Sequence, residues 1–167
     1  MQEVGEVYLL ETLKSLKGLK SNAEGAIAQI SDEELHYFPD TESNNVAIIM
    51  KHMAGNMVSR FTDFLTTDGE KKWRDRDQEF VDESKSREEL FKLWNKGWDI
   101  LLKTISDLKS EDLLKIVTIR GEEHTIIRAL NRQLAHYAYH TGQIVYLCKH
   151  IRTSEFQSLS IPRKIKN

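Results

Sequence analysis

Two prolines, Pro39 and Pro162, are all that interrupt this 167-residue chain. Proline inside a helix removes a backbone donor and clashes with the preceding turn, at a cost on the order of 3 kcal/mol. The long stretch between them is therefore free to be helical, and the apolar spacing predicts four helices. The first runs from about Glu3 to Ile30, with Val4, Val7, Leu10, Leu13, Leu16 and Leu19, then Ala23, Ala26 and Ile30, as its apolar positions. Its outer face carries Lys14, Lys17, Lys20 and Glu24. Ser31 and Glu34 are spaced as a capping box for one short turn before Pro39. The second helix spans Asn45 to Thr66, with Asn44 as cap and Asp68-Gly69 as stop. The third runs from Arg87 to Leu108 behind a Ser86/Glu89 capping box, burying Leu90, Trp94, Trp98, Leu101 and Ile105. The fourth runs from about Thr125 to Ile151.

The connections carry information of their own. The charged stretch from Thr67 to Lys85 is too long for a tight helix–helix turn. It reaches the ~30 Å length of a 20-residue helix with slack, so helices two and three can run parallel, joined by a crossover. Ile116-Val117-Thr118-Ile119 is β-branched and precedes Arg120-Gly121, which predicts a small hairpin before the fourth helix. With no internal repeat or composition break, residues 1–167 read as one all-α domain. The tail Ser160 to Lys166 is basic but short and reads as an ordinary solvated terminus.

Helices two and four break the rule that a bundle helix buries an apolar stripe. Along helix two, Asn45, Ile49, His52, Asn56, Ser59 and Asp63 form one face in steps of four and three. Ala129, Gln133, His136, His140, Gln143 and Leu147 do the same on helix four. Each unpaired polar group in a core costs on the order of 1–3 kcal/mol. The economical solution is that the two seams line one polar cavity. His136 and His140, four residues apart, sit on one helix face roughly 40° apart, a spacing that suits one transition metal. His52, on the other seam, completes a candidate triad. Three histidines leave one to three positions open, an arrangement of catalytic type. Neutral nitrogen donors suit one divalent ion, zinc or nickel first, with iron, cobalt and copper also open.

Around these ligands, Asn56, Gln133 and Gln143 are candidates for contacts to the ligand rings or to substrate. Arg60 and Arg132, toward the seam edges, have the fork geometry that grips an anionic group, although a surface ion pair is the plainer reading of each. The residues between His136 and His140 are Tyr137, Ala138 and Tyr139, so no glutamate base is built into that helix, as it is in a His-Glu-x-x-His protease. His36, His124 and His150 are left out of the metal site, and Cys148 reads as an inert buried thiol.

Charge and composition exclude several classes. A formal net charge of −2 gives no positive field for nucleic acid or an anionic membrane. The longest clean apolar run, Val46 to Met50, is far short of the ~20 residues of a membrane span. A single cysteine forms no internal disulfide, and the start lacks the pattern of a secretory signal, so the expected location is the cytoplasm.

Residues 44–57 (Asn-Asn-Val-Ala-Ile-Ile-Met-Lys-His-Met-Ala-Gly-Asn-Met) and 130–144, which holds Arg132-Gln133-Leu134-Ala135-His136-Tyr137-Ala138-Tyr139-His140-Thr141-Gly142-Gln143, carry a family likeness. So do residues 61–71 and Trp73-Arg74-Asp75-Arg76-Asp77. On these segments the chain resembles the DinB-like superfamily, and within it a bacterial subgroup without assigned activity. The resemblance implies an up-down-down-up four-helix bundle with a long crossover between helices two and three. It implies one divalent metal held by His52, His136 and His140. Related members include transferases acting with the thiol bacillithiol and a mycothiol-dependent isomerase, and homodimers are common. The expectation is a metal-dependent enzyme acting on a small molecule with a low-molecular-weight thiol. The alternatives are a metal-dependent hydrolase and a non-enzymatic metal- or ligand-binding stress-response protein.

Overall fold

The computed structural model describes residues 2–161. Pro162 and most of the basic tail, residues 162–167, lie outside the described residues. Four long helices and one two-stranded sheet follow one another: α1 (Gln2–Ile27), α2 (Val46–Phe61), α3 (Arg87–Asp107), β1 (Ile116–Ile119), β2 (Glu122–Thr125) and α4 (Ile126–Arg152). Short 3₁₀ turns at Glu33–His36 and Asp77–Phe80 lie on either side of α2 in the chain. α2 packs chiefly on α3, and α1 chiefly on α4. A core containing Trp94, Trp98, Met53, Leu101, Tyr137 and Ile144 joins all four. No helix among the described residues is long and apolar enough to cross a membrane.

Capping fixes where the helices begin. Asn45, not Asn44, caps α2 by accepting from the Ile48 amide at 2.8 Å. Ser86 and Glu89 form the expected reciprocal box on α3, and Ser31 and Glu34 exchange backbone bonds in the same way. Thr125 caps α4.

Expectations for two helices need correction. The row Val4, Val7 and Leu10 is exposed, Val4 at 73%. Steps of three slip about 60° around a helix each time, so that row walks off the buried face, which runs instead through Leu9, Thr12, Leu16 and Ala23. Glu24 is not simply an outer-face residue either, because it accepts the Trp94 indole N–H at 3.0 Å. Second, α2 stops at Phe61 rather than Thr66. Asp63 takes a left-handed φ of 49°, and its carbonyl collects the Thr66 and Thr67 amides and both hydroxyls. Local threonine bonding of this kind competes with helix propagation. Asp63 therefore leaves the polar seam.

The hairpin pairs Ile116 with Thr125 through Ile119 with Glu122. Its two turn residues, Arg120 and Gly121, have φ of 58° and 75°, the signature of a type I′ turn. The long connection after α2 docks on this hairpin. The Gly69 amide donates to Thr118 O at 2.8 Å, and the Asp68 carboxylate accepts the Arg120 and Gly121 amides at 2.9 and 2.8 Å. Ser59 Oγ, on α2, donates to Gly69 O at 2.9 Å and accepts from the Lys71 amide at 3.1 Å. The connection is thus pinned at both sides before it delivers the Asp77–Phe80 turn onto α2.

Candidate metal centre

His52 comes from the middle of α2, and His136 and His140 from successive turns of α4. His52 is buried; the other two are half-buried. One nitrogen of each ring lies within 4.8 Å of the others. The Nε2 atoms converge, with His136 to His140 at 3.1 Å and His136 to His52 at 3.4 Å. A tetrahedral ion bound at 2.0–2.1 Å to each nitrogen sets its ligands about 3.3 Å apart. The spacing therefore fits a transition metal.

The far sides of two rings fix the tautomers. His52 Nδ1 meets Glu79 Oε2 at 2.9 Å, and His140 Nδ1 meets Gln143 Oε1 at 2.7 Å. Both partners are acceptors, so Nδ1 carries the proton and Nε2 keeps its lone pair. His136 Nδ1 has no hydrogen-bond partner among the described residues. Burial, then the neighbouring His140 and His52, pushes the His136 ring down to about 3. Burial also lowers His140, against the opposing effect of its Gln143 bond. Both rings are neutral near pH 7, so no proton has to leave before a cation binds. Convergent lone pairs repel one another, and a cation between them relieves that.

Glu79 was not singled out in the sequence, where the one carboxylate on the histidine seams was Asp63. It arrives on the Asp77–Phe80 turn. Arg74 grips it with two forked bonds, Nε to Oε1 and Nη2 to Oε2, both 2.7 Å. Burial works against its charge, but the His52 and Arg74 bonds outweigh that and hold the carboxyl below its usual range. Phe80 covers the His52 ring with centroids 4.7 Å apart. The sequence did carry one signal, Gly55. It stands three residues after His52 on the same helix, and a Cβ there would lie 2.8 Å from Glu79 Cδ. The glycine is the notch that admits the carboxylate.

The remaining candidates fall on two sides of the triad. Gln143 serves His140. Asn56, Gln133, Arg60 and Arg132 line a cavity of about 180 Å³ together with His52 and His136. Asn56 Oδ1 accepts the buried Tyr137 hydroxyl at 2.9 Å. Arg60 is not a surface ion pair: it is only 2% exposed, and its Nη2 meets Glu70 at 3.1 Å. Arg132 is exposed at the cavity wall. Asp63 lies elsewhere, beside Phe64 and Thr104. His36 bridges Asp82 and the Lys85 carbonyl, and His124 is buried in β2.

No curated protein and no solved structure matches the chain. One family model does, described as a protein of unknown function (DUF1572), and it covers residues 3–165. A match that takes in α1, the triad and all of α4 leaves no part of the site outside it. The chain belongs to the DUF1572 family.

Proposed function

We propose that this protein is a metal-dependent enzyme of the DinB-like superfamily that transfers a low-molecular-weight thiol, such as bacillithiol, to an electrophile. The observation that carries the reading is the convergence of three imidazoles beside a side-chain-lined cavity. The up-down-down-up bundle, with its crossover between α2 and α3, is the topology this reading entails.

His52, His136 and His140 would hold a divalent cation, which would supply the charge that makes a thiol acidic enough to react near neutral pH. The chain's own residues do the rest. Glu79 and Gln143 hold two ligand rings in register. Gln133, Asn56, Arg60 and Arg132 offer polar contacts to the substrate. In the reaction the thiol loses its proton to solvent, the sulfur bonds to the electrophilic carbon, and the leaving group departs with the bond electrons. Against a hydrolase stands the lack of a free base at the triad among the described residues. Glu79 is occupied by Arg74 and His52, and Asp63 sits away from the cavity. The exposed Val4, Val7 and Leu10 support a homodimer, which sedimentation of the purified protein tests.

The test begins with elemental analysis of protein purified without an affinity tag. About one divalent ion per chain is expected, lost on His52→Ala. Metal-loaded protein is then mixed with bacillithiol and a chloro-dinitrobenzene electrophile. Thioether formation above background, abolished in His136→Ala, supports the proposal. A background rate in both overturns it.

A further inference from the structure

The cavity beside the triad has a chemistry of its own. Five arginines line it: Arg60 from α2, Arg74 and Arg76 from the crossover, Arg120 from the hairpin turn and Arg132 from α4. Two carboxylates bond these guanidinium groups. Glu79 is held by Arg74. Glu70 is shared by Arg60, Arg74 and Arg120 at 3.1, 3.2 and 3.0 Å. Asp68 lies near Arg60, but its oxygens are taken up by the amides of Glu70, Arg120 and Gly121.

The guanidinium donors therefore outnumber their acceptors. Arg60 Nε and Nη1 are buried and have no hydrogen-bond partner among the described residues. Gln133 Oε1, on the same cavity, is an unpartnered acceptor that offsets only one of these donors. The Arg132 guanidinium has no hydrogen bond or ion pair among the described residues, and Arg76 rests over the Phe80 ring at 5.0 Å. Burial, with Arg74 and Arg120 adding like charge, lowers Arg60 despite Glu70 beside it. A buried charged donor left unmatched costs more than the ordinary 1–3 kcal/mol of an orphan polar group. Four separate chain segments converge to create this excess, and an oxyanion is the ligand whose geometry guanidinium forks match.

We infer that this cavity is an oxyanion subsite, taking a phosphate or carboxylate group of a small molecule whose remainder passes His136. At about 180 Å³ the space lies below the roughly 300–1,000 Å³ of pockets that swallow whole ligands. It suits one charged end group. That this molecule is the thiol cosubstrate rests on the function proposed above; the subsite itself rests on the arginines.

The experiment is a calorimetric titration of inorganic phosphate, and separately of malate, at fixed ionic strength. Both metal-loaded and chelator-treated protein are used. Saturable binding of at least one anion is expected in both forms, and the stronger of the two names the end group. The exposed pair Arg76→Gln/Arg132→Gln should weaken it at least tenfold with metal content unchanged. Arg60→Met should weaken it further, with circular dichroism reporting whether that variant folds. Binding seen only with metal present would assign the anion to the cation and overturn the inference. So would unchanged affinity in the folded Arg76→Gln/Arg132→Gln protein. Anion binding without any thiol transfer would sink the proposed reaction and leave the subsite standing.

Discussion

Gly55 and Glu79 occupy one space: the carboxylate that orients His52 lies where a side chain at position 55 would stand, with Glu79 Cδ 2.8 Å from the missing Cβ. Gly55→Ala should therefore act on the metal centre although position 55 holds no ligand. Alanine favours the helix by about 1 kcal/mol, yet it must expel the carboxylate. Metal affinity, read by competition with a chromogenic chelator, should fall about 10–100-fold, the usual cost of losing a carboxylate behind a ligand imidazole. Unchanged affinity would mean that Glu79 does not hold the ring.

Glu79→Gln should give a similar loss, and combining it with Arg74→Met should add little. The two residues act as one device, so their effects on metal affinity are non-additive. Full additivity in a double-mutant cycle would separate them.

The Tyr137 hydroxyl, fully buried, donates to Asn56 Oδ1 at 2.9 Å. Tyr137→Phe leaves that amide oxygen without its donor and should cost about 1–3 kcal/mol. For a chain of this size each kcal/mol lowers the melting temperature by about 2–4 °C. Differential scanning calorimetry of chelator-treated protein reads the effect free of metal.

Stability of the chelator-treated protein should fall with acid in two stages. His136 is neutral down to about pH 3 when folded but takes a proton near its ordinary 6.5 when unfolded. Between those values the unfolded chain binds the extra proton, so stability falls as pH drops, by at most about 1.4 kcal/mol per pH unit for one site. Against the opposing effect of burial, Glu79 is held below its usual 4.5 by His52 and Arg74, and Glu70 by its arginine partners. Their stabilisation is complete above 4.5 and is lost as the pH falls through their folded values. Urea melts from pH 8 to 3 should show the decline begin near 6.5 and steepen below 4.5. A flat profile from 6.5 to 4.5 would contradict the buried neutral imidazole.

Cys148 is fully buried on α4, and burial pushes its thiol up to about 12. At pH 8 almost no thiolate is present. Labelling by an aromatic disulfide should be slow in the folded protein and complete within minutes in denaturant. Fast labelling of folded protein would refute the burial.

The helices and the histidine triad were legible because they are local or periodic. Capping boxes, stripes at 3.6 residues and an i,i+4 histidine pair all lie within a few turns of one helix. His52 could be joined to that pair because its seam was polar where a core should be apolar. Glu79, Arg74, Arg76 and Arg120 were not legible in the same way. They sit on a crossover and a turn, where no period says which charge faces inward. The charged run Trp73 to Asp77 gives no hint that Arg74 is buried while Trp73 stays 61% exposed. Arg60 looked like a helix-edge residue because nothing local reveals that the crossover folds back across α2.

Asp68 clasps the backbone of the Arg120–Gly121 turn. The two surface loops that bring Arg74, Arg76 and Arg120 to the cavity are therefore not independent ornaments on the helices. An insertion in either one unseats the other. In this chain, a change in the length of either loop has to be matched in the other for the clasp to survive.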